Sequence, residues 1–179
     1  SDVYKRQGYM WECPDTFKLS DKDVLMFSPQ GMEAEGYKYN NVYQCGYAVG
    51  NFLNDKKELK LGEFVEIDRG FDFYAPQTFE DSKGRRIVIG WMGVPDAVEH
   101  KNPTINNFWQ HQLTIPRELV LKNNKVYQIP VVELEALRKG DSIKKEVSLN
   151  EANTLEIFES NTFELNIDLI YQAHLLFLL

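Results

Sequence analysis

The residues of this chain best equipped for proton chemistry stand together in Trp11-Glu12-Cys13-Pro14-Asp15-Thr16-Phe17, where two acids and a tryptophan flank a proline. Pro14 has no N–H to give to a central ladder, which confines the segment to a strand start, an edge or a bulge. If residues 10–16 run extended, side chains alternate, and Glu12 and Asp15, three apart, are expected on opposite faces. On that reading the two acids are not a working pair. Acid–base cleavage of an acetal needs two carboxylates flanking the bond that breaks, so Glu12 requires a partner from elsewhere. The competing local reading is a strand-end acid facing water. Cys13 reads as a small buried hydrophobe.

The elements that must hold Glu12 are short extended runs rich in aromatic and β-branched residues, separated by clusters of Gly, Asn, Asp, Ser and Lys, an all-β pattern. The runs fall at about residues 10–19, 24–28, 42–49, 64–67, 71–79, 86–92, 110–115 and 119–129, the last broken by a turn at Lys122-Asn123-Asn124-Lys125. An internal repeat lies in this series. Trp11-Glu12-Cys13-Pro14-Asp15-Thr16-Phe17 set over Phe73-Tyr74-Ala75-Pro76-Gln77-Thr78-Phe79 matches Pro, Thr and Phe at an offset of 62 residues. Each copy is followed by three further strand candidates. Two four-stranded units in series read as blades of a β-propeller, whose innermost strands line a central channel. Glu12 and Tyr74 then hold equivalent places on neighbouring inner strands. Two blades do not close a ring, so either the native protein is longer or the fold is an open β-sandwich.

A length of 179 residues suggests one or two domains, and 43% hydrophobic with 26% charged residues is the composition of a soluble globular protein. The net charge of −7 argues against nucleic acid or an anionic membrane as partner. Two cysteines, Cys13 and Cys45, and three scattered histidines, His100, His111 and His174, indicate neither a disulfide framework nor a metal site. Residues 1–7 lack the apolar core of a signal peptide, and the apolar tail 175–179 is too short to span a bilayer. The expectation is a cytoplasmic location.

After Pro130 the composition changes. Residues 132–140, Val-Glu-Leu-Glu-Ala-Leu-Arg-Lys-Gly, carry helix formers, a basic last turn and a glycine stop, which predicts a short linker helix after a propeller part over 8–131. Runs at 146–149, 154–159 and 163–169 alternate apolar and polar residues, which predicts the opening of a β-sandwich over 141–179. Residues 1–7 and 172–179 fit no element.

With these motifs in place, the chain resembles the bacterial members of the invertase family, the β-fructofuranosidases that include sucrose-6-phosphate hydrolases. The resemblance rests on Trp11-Glu12-Cys13-Pro14-Asp15, on Gly70-Phe71-Asp72-Phe73-Tyr74-Ala75-Pro76-Gln77-Thr78-Phe79, on Arg85-Arg86-Ile87-Val88-Ile89-Gly90-Trp91-Met92-Gly93, and on Leu113-Thr114-Ile115-Pro116-Arg117-Glu118-Leu119, in family order. It implies part of a five-bladed propeller followed by a C-terminal β-sandwich, and a retaining glycoside hydrolase with no cofactor or metal. It maps the family's general acid/base to Glu12. The family's nucleophile belongs to an Asn-Asp-Pro-Asn-Gly motif and its transition-state-stabilising acid to an Arg-Asp-Pro motif. Neither motif occurs here. The resemblance therefore implies a fragment lacking the first part of the propeller, inactive alone.

The implied substrate is a small sugar: sucrose, sucrose 6-phosphate or a short fructan. Tyr74 and Trp91 are the aromatic candidates for contacting it, Trp91 having packing between blades as its other reading. Trp11 is also a candidate for substrate binding, although it flanks Glu12 from behind the strand. Asp72, which shares a strand face with Tyr74 in the run at 71–79, is a further candidate for substrate binding and the first stand-in for a nucleophile. Phe108 and Trp109 either rim the site or cap the blade. Lys83, Arg85 and Arg86 read either as a phosphate contact or as the solvated end of a strand. Rival functions are fructosyl transfer, fructan hydrolysis and sugar binding without catalysis.

Overall fold

Two antiparallel sheets form in chain order, each built outward from the strand that carries one copy of the repeat. The computed structural model describes residues 8–53, 58–70, 72–95, 102–146, 148 and 162–168. In the first sheet β1 (Met10–Leu19) pairs with β2 (Lys22–Gln30), which pairs with β3 (Gly46–Leu53), which pairs with β4 (Glu58–Leu61) and with the two-residue β5 (Val65–Glu66). In the second, β6 (Tyr74–Glu80) pairs with β7 (Arg86–Met92), and β7 with β8 (Gln112–Leu113) and β9 (Arg117–Lys122), and β9 with β10 (Lys125–Pro130). β1 and β6 are thus the first strands of their sheets, and they lie against each other. The β9–β10 hairpin closes through Asn123 (φ 53°) and Asn124 (φ 58°), the two left-handed residues that a tight two-residue turn demands.

Differences from the sequence reading have local causes. The run expected over 42–49 starts at Gly46 and extends to Leu53, and the run over 64–67 shrinks to β5. β4 was not foreseen, because its Glu58 and Lys60 are the charged residues an edge strand carries and resemble a turn in sequence. The expected linker helix forms as a 3-10 helix, Val132–Leu137.

The repeat is realised as a matched pair of β-bulges. In β1 the register passes from Glu12↔Ser28 to Asp15↔Met26, so Cys13 and Pro14 together oppose Phe27, with Cys13 left-handed at φ 48°. In β6 it passes from Tyr74↔Trp91 to Gln77↔Ile89, so Ala75 and Pro76 oppose Gly90, with Ala75 at φ 47°. Gly90 is required there, since a Cβ would stand 2.2 Å from the Phe73 ring. The proline without an N–H sits where the ladder is already interrupted.

The main core fills the space between the sheets, with Phe17, Leu19, Val24, Met26, Cys45 and Tyr47 from the first side and Phe73, Tyr74, Val88 and Leu119 from the second. A smaller cluster joins Leu25, Phe27 and Phe64, with Trp11, Met32, Tyr39, Phe52 and Leu61 packed against it. Outside these clusters Phe79, Leu113, Tyr127 and Ile129 of the second sheet stand exposed.

The 3-10 helix is tied to the turn between β6 and β7. Arg85 donates to Glu133 through Nη1 (3.1 Å) and Nη2 (2.8 Å) and to Asp81 through Nε (2.8 Å), while Lys83 donates to Glu133 at 3.0 Å. The Arg85 hydrogen bonds, then that of Lys83, push Glu133 from 4.5 down to about 2. A folded value below the unfolded one means that the clamp stabilises above pH 4.5 and is lost as the pH falls through about 2. The stability difference between wild type and Glu133→Gln, measured by urea titration, is therefore expected to shrink steadily across that window and to be flat above it.

The chain forms two compact units, 1–137 and 138–179. In the second unit Arg138 forks onto Glu164 with two bonds of 2.7 Å. Residues 163–168 carry no assigned strand, and 154–159 lie outside the described residues. A sandwich over 141–179 rests on the alternation of its sequence alone.

Candidate active site

Glu12 lies near the start of β1, half-buried, with its side chain directed at β6. The Tyr74 hydroxyl donates to Glu12 Oε2 at 2.6 Å, joining the two repeat-equivalent residues across the neighbouring first strands. Gln30 Nε2 donates to the same oxygen at 3.0 Å and to the Tyr74 hydroxyl oxygen at 3.2 Å. Burial, then the hydrogen bond to Glu12, hold the Tyr74 phenol well above its ordinary range, so it remains a donor at any working pH. Tyr43 packs its ring on Tyr74 at 5.6 Å and holds it in place.

The bulge overturns the expectation that Glu12 and Asp15 face opposite ways. Ser28 and Met26, their ladder partners, are two apart and share a face, so the extra residue returns Asp15 to the face of Glu12. Both acids reach β6. Asp15 Oδ2 accepts from the Thr78 N–H at 3.0 Å and from Thr78 Oγ1 at 2.6 Å, one blade's first strand bracing the next. Asp15 is thereby a tie between sheets.

The remaining site expectations divide. Trp11 stacks on Phe27 at 4.2 Å and 25° on the far side of the strand from Glu12, so its place is one of packing. Trp91 pairs with Tyr74 in the ladder and packs on the main core and on His111, ring centroids 5.2 Å apart. Asp72 is not on the strand with Tyr74. β6 begins only at Tyr74, and Asp72 is an exposed, left-handed turn residue (φ 47°) beside Asn41, Val42, Tyr43, Phe73 and Val94. Phe108 and Trp109 are exposed at the end of the 3-10 turn Pro103–Asn107.

The cations once open to a phosphate are engaged. Lys83 and Arg85 bind Glu133 and Asp81, and Arg86 pairs with Glu80 while lying over the Phe17 ring at 5.1 Å. Both thiols are free. Burial pushes the Cys45 thiol up to about 12, and burial with the Glu12 charge raises Cys13, so neither is a ready nucleophile. Among the described residues no three His, Cys, Asp or Glu side chains group to hold a metal; His100 and His174 lie outside them.

Sequence reasoning missed Gln30 and Tyr43. The available signal was Ser28-Pro29-Gln30-Gly31, a polar close to an apolar run in which Ser28 and Pro29 are fully buried.

Two sheets whose bulged first strands lie side by side are consecutive blades of a β-propeller, here with an acid carried at the bulge. Residues 2–130 match the glycosyl hydrolases family 32 N-terminal domain. The chain belongs to that family. It is 54% identical over 143 residues to the sucrose-6-phosphate hydrolase of Bacillus subtilis, covering 80% of this chain and 29% of that protein. It is 44% identical over 167 residues to the enzyme of the same name from Staphylococcus xylosus, covering 91% and 32%. Among solved structures, the Bombyx mori GH32 β-fructofuranosidase is similar at 37% identity and a TM-score of 0.69, over 75% of this chain and 28% of that one. The sucrose-6-phosphate hydrolase of Lactobacillus gasseri is similar at 31% identity and a TM-score of 0.65, over 74% and 27%. The chain thus spans less than a third of the length of the curated relatives it matches.

Proposed function

We propose that the full-length protein is a retaining glycoside hydrolase that cleaves the β-fructofuranosidic bond of sucrose or sucrose 6-phosphate, with Glu12 as general acid and then general base. The observation that carries this reading is the 2.6 Å hydrogen bond from Tyr74 to Glu12, which fixes a carboxylate where two propeller strands meet. Glu12 protonates the bridging oxygen as the bond to the anomeric carbon breaks, and a carboxylate from outside this chain attacks that carbon. Water, deprotonated by the same Glu12, then hydrolyses the fructosyl ester. Support for the sugar comes from the relatives, two of them named for sucrose 6-phosphate and one, from Bombyx mori, solved as a mutant in complex with sucrose. Free thiols at Cys13 and Cys45 suit a cytoplasmic setting, and among the described residues no helix is long and apolar enough to cross a membrane.

The test is product stereochemistry. Full-length protein given sucrose and sucrose 6-phosphate is expected to release β-fructofuranose first, read by proton NMR before the sugar equilibrates. An initial α-anomer, or no turnover of either substrate, would overturn the reading.

A further inference from the structure

Gln30 closes a ring with the two groups at the centre of the site. Its backbone is fixed from both sides, by the Met10↔Gln30 ladder pair, by the bond from the Tyr9 N–H to its carbonyl at 2.9 Å and by the bridge to Tyr43. From that anchor Nε2 donates to Glu12 Oε2 (3.0 Å) and to the Tyr74 hydroxyl oxygen (3.2 Å) in a shared, three-centre arrangement, while the Tyr74 hydroxyl donates to Glu12 Oε2 (2.6 Å). In this arrangement no hydrogen meets another, and Glu12 Oε2 is the shared acceptor of both neighbours.

We infer that Gln30 is a positioning residue for the acid/base: by occupying Glu12 Oε2 together with Tyr74, it makes Oε1 the atom that carries, gives up and later recovers the proton. A proton on Oε2 would confront both incoming hydrogens, whereas a proton on Oε1 leaves the ring unchanged. The ring is therefore the same before and after transfer, and Glu12 changes from acid to base without moving its neighbours. Gln30 acts through Glu12 and is held by backbone pairing to β1 on one side and by the isolated bridge to Tyr43 on the other, the support a preorganised group needs. This inference rests on the acid/base reading of Glu12.

The experiment compares two substrates in the full-length enzyme, sucrose, whose leaving oxygen must be protonated, and β-fructofuranosyl fluoride, whose leaving group need not be. Gln30→Met keeps length and removes the donor. It is expected to lower kcat on sucrose by about 10- to 100-fold, the cost of one hydrogen bond to a charged group, with KM little changed and a smaller loss on the fluoride. Gln30→Glu provides the second arm if the methionine variant folds poorly. It keeps shape but loses its N–H on ionising, so its loss on sucrose is expected to deepen as the pH rises. Equal losses on both substrates, or a raised KM at unchanged kcat, would overturn the positioning role. Glu12→Gln run alongside separates the two readings, because failure of that variant to discriminate between the substrates would count against Glu12 itself.

Discussion

Replacing Glu12 by Gln in the full-length protein is expected to lower kcat on sucrose by about 10²–10⁴-fold, the contribution of a positioned general acid–base, while KM changes little. The amide has the size and shape of the carboxylic acid, and Tyr74 and Gln30 still find an acceptor in its oxygen. What it lacks is a transferable proton. Glycosylation therefore slows with a poor leaving group, and deglycosylation slows for want of a base. With β-fructofuranosyl fluoride, whose leaving group needs no protonation, an added small anion such as azide is expected to restore turnover by attacking the fructosyl ester without base assistance. A variant that keeps near-native kcat, or one whose loss is entirely in KM, would remove Glu12 from the chemistry and leave it a binding group.

Residues 1–179 expressed alone are expected to release fructose from sucrose no faster than the same chain carrying Glu12→Gln. A retaining site needs a nucleophile about 5 Å from the acid. The carboxylates of this chain that invite that role are placed otherwise: Asp15 is bound by Thr78, Asp68 pairs with Arg117 at 2.7 Å, and Asp72 stands in the turn ahead of β6. The apolar residues left exposed on the second sheet, Phe79, Leu113, Tyr127 and Ile129 among them, are expected to drive self-association of the isolated chain, visible by light scattering. Fructose release well above the mutant would show that a carboxylate within these residues attacks the sugar.

The sequence by itself determined a good deal. Alternating runs and turn residues specify an all-β chain, since period two and left-handed Asn positions are properties of the local backbone. The Pro-Thr-Phe coincidence 62 residues apart gave the repeat, and with it the equivalence of Glu12 and Tyr74. The repeat did not assign Glu12 a role; that came from the likeness of Trp11-Glu12-Cys13-Pro14-Asp15 to the invertase family. What only the tertiary structure decided is everything that depends on register. A bulge adds one residue to one strand, and that single insertion turns Asp15 from the opposite face to the face of Glu12, which no count along the sequence reveals. It also decided that Asp72 stops short of the strand, because the ladder begins at Tyr74. Gln30 was invisible as a partner of Glu12, 18 residues away, until β2 ran back beside β1 and brought its amide to the carboxylate. Local propensity sets which stretches are strands. Hydrogen-bond geometry between strands far apart in sequence sets which side chains meet, because each ladder pair fixes the facing of every residue beyond it.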